Sequence, residues 1–231
     1  MSALELRSVS KTYGHAAAEV HALRDVSLSV GPGMMVAVMG PSGSGKSTLL
    51  TIAGSLEEPT AGEVLIGGRP LSRMSRNQRA RLRRRSVGYV FQDFNLLPGL
   101  TAVENVALPL ELDGVPARRA RAAGLAGLAG LGLGGRAGRF PDELSGGERQ
   151  RVTIARSLVN GPAIVWADEP TGDLDSENAG EIVALMRRLN CEQNLTFLIV
   201  THDISVGRAT DRIVRMVDGQ IVGEELLEVR E

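Results

Sequence analysis

Cysteine is nearly absent: Cys191 stands alone, so no intrachain disulfide can form, and a reducing compartment suits the chain. It reads as an inert structural residue. Aromatic residues are few, with one Trp, two Tyr and four Phe in 231 residues. Net charge is also small, −1 at neutral pH. A dedicated nucleic-acid surface wants a strongly basic domain with stacking rings, and neither is present. The seven arginines between Arg73 and Arg85 therefore read as a solvated helix face. No apolar run approaches bilayer-spanning length, and residues 34–39 and 195–200 are strand-sized. The first residues lack the apolar core of a signal peptide. The expectation is a soluble chain unless a membrane-bound partner holds it. Lysine is scarce as well: only Lys11 and Lys46 break the use of Arg for every other cation, which suggests that a point charge is wanted at position 46.

What is present is an ordinary globular composition, 43% hydrophobic and 23% charged, enough for one core and a satellite lobe. Residues 4–30 carry strand patterning, with Leu28 and Val30 in alternation. Residues 34–39 form a continuous apolar run, the pattern of a strand buried on both faces. Gly40 breaks it, and residues 46–53 read as helix. A turn at 59–62, a strand at 63–66, a short basic helix at 77–85 and a strand at 87–91 follow. From Gln92 to Val159 the pattern turns helical, with helices expected at 103–110, 116–133 and 146–158. Strands return at 163–167 and 196–201 around a helix at 176–189. Residues 211–217 and 220–227 close the chain as a hairpin turning on Asp218-Gly219. Alternating strands and helices predict an α/β fold with a mainly parallel β core, an N-terminal antiparallel β part and a helical lobe. The expected organisation is one domain, with a catalytic lobe at about 1–91 and 160–231 and a helical lobe at about 92–159. Gly124, Gly127, Gly130 and Gly132 fall inside the 116–133 helix, each costing about 1 kcal/mol against Ala. A loose or broken helix is expected there, with Leu125, Leu128 and Leu131 on one apolar face.

Gly40-Pro41-Ser42-Gly43-Ser44-Gly45-Lys46-Ser47-Thr48 follows a buried strand and opens a helix. In that setting glycines let backbone N–H groups close around phosphate oxygens, and the helix N-terminus adds its dipole. Lys46 is placed to reach the β- and γ-phosphates, and Ser47 to bind Mg²⁺. Leu144-Ser145-Gly146-Gly147-Glu148-Arg149-Gln150 is a second turn opening onto a helix, roughly a hundred residues away. Two such sites, too far apart to share a loop, raise the question of whether two chains share one ATP. The strand at 163–167 ends in two acids: Asp168, able to support the metal, and Glu169, able to orient and deprotonate an attacking water. Gln92 follows strand 87–91 and can meet Mg²⁺ or the γ-phosphate; His202 follows strand 196–201 and can bond the γ-phosphate. Tyr13 is a candidate to stack on adenine. Trp166 reads as packing, and His15 and His21 as bystanders.

Assembled in this order, the chain resembles an ABC-type ATPase subunit over nearly its whole length. It carries a Walker A at 40–48, a Q-loop at Gln92, a signature at 144–150 and a Walker B at 164–168 with Glu169 beside it. A D-loop stands at Asp173-Leu174-Asp175 and an H-loop at His202. Residues 91–98, 100–106 and 169–176 are similar to the MacB/LolD branch, which includes the FtsE type. Departures are Trp166 in place of an aliphatic residue, Asp173 where Asn is common, and the Gly-rich lobe helix. The resemblance implies a P-loop NTPase fold of the ABC type, ATP and Mg²⁺ as ligands, and a head-to-tail dimer. In that dimer each phosphate loop closes an ATP against the partner copy's Ser145-Gly146-Gly147. Glu169 is then the base, His202 and Gln92 sense the γ-phosphate, and the loop with Asp175 links the sites. It also implies peripheral attachment at the cytoplasmic face of a membrane, through an integral permease on a separate chain. The work done would be export or lipoprotein or lipid extraction, or, as the alternative, FtsE-like signalling to cell-wall enzymes without transport. No nucleic-acid partner is implied.

Overall fold

A computed structural model describes residues 2–14 and 19–227. In chain order its strands are β1 (Leu4–Tyr13), β2 (Val20–Val30), β3 (Met35–Met39), β4 (Ala61–Ile66), β5 (Arg69–Pro70), β6 (Val87–Val90), β7 (Ile164–Asp168), β8 (Phe197–Thr201), β9 (Arg212–Val217) and β10 (Gln220–Leu226). The α-helices are α1 (Lys46–Ala53), α2 (Arg76–Ser86), α3 (Ala102–Leu112), α4 (Ala117–Gly130), α5 (Gly146–Leu158), α6 (Ser176–Gln193) and α7 (Ile204–Arg208). The chain forms two compact units, Met1–Arg79 with Arg187–Glu231, and Ala80–Met186. His15, read as a bystander, lies outside the described residues.

The first unit holds an antiparallel sheet of order β2-β1-β4-β5. Leu4, Leu6 and Val9 of β1 and Val26, Leu28 and Val30 of β2 are buried, so one face of this sheet is core. Register slips between Leu6 and Val9, where Ser8 sits at φ 47°. A bulge there keeps the apolar side chains inward on both sides of the slip. In the same unit β3 pairs in parallel with β8 on one side and β9 on the other, and β10 returns antiparallel along β9. Met35, Val36, Ala37 and Val38 are fully buried, as are the apolar residues of β8. A strand covered on both faces reads as an unbroken apolar run, which is why residues 34–39 show no alternation.

The second unit contains the parallel pair β6–β7 and the helices α3, α4 and α5. Trp166 is fully buried in β7 as packing, and its indole N–H has no hydrogen-bond partner. Helix α3 opens with a capping box in which Thr101 and Glu104 satisfy each other.

Helix α4 corrects one expectation. It is continuous through Gly124 and Gly127 and ends at Gly130. Gly132 lies beyond it at φ 78°, in a closure where the Leu133 N–H reaches the Leu128 carbonyl at 2.8 Å. Gly124 is there for packing: a Cβ would stand 3.0 Å from the Val103 carbonyl oxygen of α3. The inward face is Ala120, Gly124 and Leu128, followed by Leu131, whereas Leu125 is exposed. Two substitutions with opposite signs follow. Gly124→Ala loses about 1–3 kcal/mol by overpacking, although helix propensity alone favours Ala. Gly127→Ala, whose Cβ would meet only Val106 at 3.8 Å, gains up to about 1 kcal/mol. Urea denaturation of the two variants reads the difference, and equal shifts would remove the packing explanation.

Candidate functional site

At the end of β3 the chain turns through Gly40, where a Cβ would lie 2.1 Å from the Met216 carbonyl oxygen. Gly45, at φ 97°, stands equally close to the Ala22 carbonyl oxygen, 2.3 Å from a built Cβ. Only glycine satisfies both the left-handed backbone and the close approach. The loop delivers its N–H groups to the start of α1, whose N-cap Gly45 supplies no side-chain acceptor. The first-turn donors of α1 are thus left for an anion. Lys46, 8% exposed, folds its ammonium back onto the carbonyls of Gly40 at 2.8 Å and Pro41 at 2.9 Å. The Ser44 hydroxyl is buried and has no hydrogen-bond partner. An orphaned hydroxyl, a buried cation and uncapped N–H groups form a cradle suited to phosphate. Pro41, Ser42, Gly43 and Ser47 are exposed along the rim, and Thr48 is half-buried.

His202 enters this unit beside the loop. Met39 of β3 and Thr201 of β8 are register partners in parallel, so Gly40 and His202 leave the carboxyl ends of neighbouring strands. Asp203 then caps α7 by accepting from the Ser205 N–H at 2.7 Å. Tyr13 ends β1 and donates its hydroxyl to Glu57 at 2.5 Å.

The other expected residues lie in the second unit. Val90 and Ala167 are register partners, so Gln92 and the acids Asp168 and Glu169 follow neighbouring parallel strand ends. Glu169 sits at φ 43°, a left-handed conformation that costs a non-glycine residue about 1–3 kcal/mol. Its carbonyl accepts from the Gly172 N–H at 3.0 Å, closing the turn that leads to the D-loop residues. The Gln92 side-chain amide donates to Asp173 at 3.1 Å. Asp175 caps α6, accepting from the Asn178 backbone at 2.9 Å and side chain at 2.7 Å. Those bonds hold its carboxyl below the usual range.

Ser145 caps α5, its hydroxyl accepting from the Glu148 N–H at 3.2 Å while Glu148 accepts from the Ser145 N–H at 2.9 Å. Arg136 donates to the same carboxylate at 2.8 Å, and Arg136 and the Ser145 N–H together lower the Glu148 carboxyl below the ordinary glutamate range. Gly147 approaches the Asp175 turn so closely that a Cβ would lie 2.3 Å from the Asn178 side-chain oxygen. A side chain at this position would have to displace Asn178 from the turn.

Several positioning residues carried no signal of their own in the sequence. Gln150, 1% exposed, donates to the Pro170 carbonyl at 2.6 Å and so ties α5 to the turn after Glu169. Arg156 donates to the carbonyls of Phe94, at 2.8 Å, and Asn95. Both residues are left-handed, at φ 59° and 46°. Burial pulls the Arg156 guanidinium down to about 10, which leaves it charged at neutral pH. Arg149 stands 5.0 Å over the Phe94 ring. Buried Asn105 holds the same loop from α3 through the Leu97 backbone, donating to its carbonyl and accepting from its N–H. The loop after Gln92 is thus fixed from two helices. Cys191, expected as an inert structural residue, is exposed on α6.

The fold and the glycine loop define a phosphate-loop α/β nucleotide triphosphatase. Residues 23–172 match the family model described as ABC transporter, and the chain belongs to that family as an ATP-hydrolysing cassette. It is 46% identical over 226 residues, 97% of its length, to a macrolide export ATP-binding/permease protein MacB of Syntrophobacter fumaroxidans. The chain spans 32% of that protein, about a third. It is 48% identical over 222 residues to an uncharacterized ABC transporter ATP-binding protein of Thermotoga maritima, covering 96% of this chain and 94% of that one. Among solved structures, the dimeric post-hydrolysis state of the ATP-binding cassette MJ0796 bound to ADP and Pi superposes with a TM-score of 0.89. Identity there is 42%, with 98% of this chain and 100% of the other covered.

Proposed function

We propose that two copies of this cassette pair head to tail and share two ATP sites. In each site, Gly40 to Thr48 of one copy hold the phosphates and Ser145, Gly146 and Gly147 of the other close over them. The observation that carries this reading is that the Ser145-Gly146-Gly147 turn opens α5 in one unit while the glycine loop opens α1 in the other. The dimeric state of the MJ0796 cassette supports it. ATP bridges the two copies through its γ-phosphate; hydrolysis removes the bridging group and the pair opens. Glu169 takes the proton from the attacking water, while His202 and Gln92 hold the γ-phosphate end. Tyr13 stacks on the adenine, and Asp175, at the head of α6, couples the two sites.

Among the described residues no cluster of three or more His, Cys, Asp or Glu forms a metal cage. The residues that would hold Mg²⁺ are the oxygen donors Ser47, Gln92 and Asp168. When bound, Mg²⁺ would supply positive charge against the phosphate oxygens.

No helix among the described residues is long and apolar enough to cross a membrane. We place the cassette at the cytoplasmic face of a membrane, driving an integral permease through residues 92–159, in MacB-like export or lipoprotein or lipid extraction. The likeness to an export ATP-binding/permease protein supports this. Detergent purification from native membranes tests it: an integral permease should co-elute at fixed stoichiometry. Recovery of the whole pool without any membrane protein would contradict the coupling, and division defects with unchanged efflux would replace transport by signalling.

A further inference from the structure

We infer that Lys11 and Glu57 are positioning residues that hold the Tyr13 ring as a rigid adenine platform, giving the site its preference for ATP over bare polyphosphate. This rests on the reading that Tyr13 stacks on adenine. All of the residues involved belong to the first unit.

Tyr13, 38% exposed, stands at the very end of β1 and would swing freely if nothing held it. Its hydroxyl donates to one oxygen of Glu57 at 2.5 Å. The other Glu57 oxygen pairs with the Lys11 ammonium at 2.9 Å. Lys11 lies two residues before Tyr13, on the same side of the strand. Its ammonium stands 5.0 Å from the ring centroid and donates to the Glu58 carbonyl at 2.8 Å. The Lys11 side chain is only 13% exposed, so its charge is committed to this cluster. Burial favours the protonated form of Glu57, yet its bonds to Tyr13 and Lys11 hold the carboxyl below the usual range, so it stays ionised at neutral pH.

The ammonium occupies one face of the ring and leaves the other for a base. A ring already fixed at its hydroxyl and one face loses little side-chain freedom on stacking, an advantage of up to about tenfold in affinity. It also explains why position 11 keeps one of the chain's two lysines: a compact ammonium can serve the carboxylate, a carbonyl and the ring face together.

The test compares the affinities of ATP and inorganic tripolyphosphate by calorimetry on the full chain. Tyr13→Ala should weaken ATP by about tenfold or more and leave tripolyphosphate unchanged. Glu57→Gln and Lys11→Met should each weaken ATP by about three- to tenfold, again sparing tripolyphosphate, and should add nothing in the Tyr13→Ala background. If Tyr13→Ala binds ATP as the native chain does, the stacking reading itself fails. If Tyr13→Ala weakens ATP while Glu57→Gln and Lys11→Met do not, stacking stands and the positioning role is overturned. Equal losses of ATP and tripolyphosphate in Glu57→Gln and Lys11→Met would show damage to the phosphate loop and also overturn it.

Discussion

Glu169→Gln lowers ATP turnover about a hundred- to ten-thousandfold while leaving nucleotide binding intact. The substitution keeps the size of the side chain and removes its charge and its capacity to accept a proton. Glu169 directly follows the last residue of β7 and is held in a left-handed turn by the Gly172 N–H on its carbonyl. A Gln fits the same turn, so the local geometry survives. With hydrolysis blocked, the γ-phosphate remains in place and the ATP-bound pair accumulates. Size-exclusion chromatography with light scattering in Mg-ATP should show a dimer that the native chain forms only transiently. A variant that turns over ATP at the native rate would move the base elsewhere, with His202 next in line because it leaves β8 beside the phosphate loop.

The second large effect is Lys46→Met, which lowers ATP affinity about a hundredfold, the worth of one or two charged hydrogen bonds. The Lys46 stem is buried and Met retains most of it, so the packing under α1 is kept. The loss falls on the ammonium, which now rests on the Gly40 and Pro41 carbonyls and is within reach of a phosphate arriving at the same loop. Tripolyphosphate affinity should fall with that of ATP, because the contact is to phosphate. This is the opposite pattern to that expected at Tyr13, and the pair of measurements separates phosphate from base recognition. Unchanged ATP affinity, measured by calorimetry, would leave the N–H groups of the loop as the sole phosphate ligands.

Local pattern made much of this legible. The glycine loop, the signature turn and the acids after β7 are contiguous stretches whose spacing is dictated by backbone geometry. Gln92 and His202 stood out as candidates because each comes within two residues of a strand end, and strand ends are where such sheets bind ligands. Side chains that meet across long separations left no such trace. Tyr13 and Glu57 are 44 residues apart, and Arg156 reaches a carbonyl 62 residues earlier. Gly124 read as a helix breaker because propensity is local, whereas its purpose is the close approach of α3. Leu125 and Leu128 looked equivalent by spacing, yet only contact with α3 and α5 decides which of them turns inward.

Shared sites are tested most directly by mixing two variants that each fail alone. Lys46→Met damages the phosphate loop of every copy and Ser145→Arg obstructs every signature turn, so neither should form an ATP-dependent dimer by itself in the Glu169→Gln background. Mixed, a pair of unlike copies contains one site with both an intact loop and an intact partner turn. Differently tagged chains should then associate when Mg-ATP is added, and every dimer formed should carry both tags. If the mixture stays monomeric under conditions where Glu169→Gln alone dimerises, the loop and the signature turn do not meet across two copies.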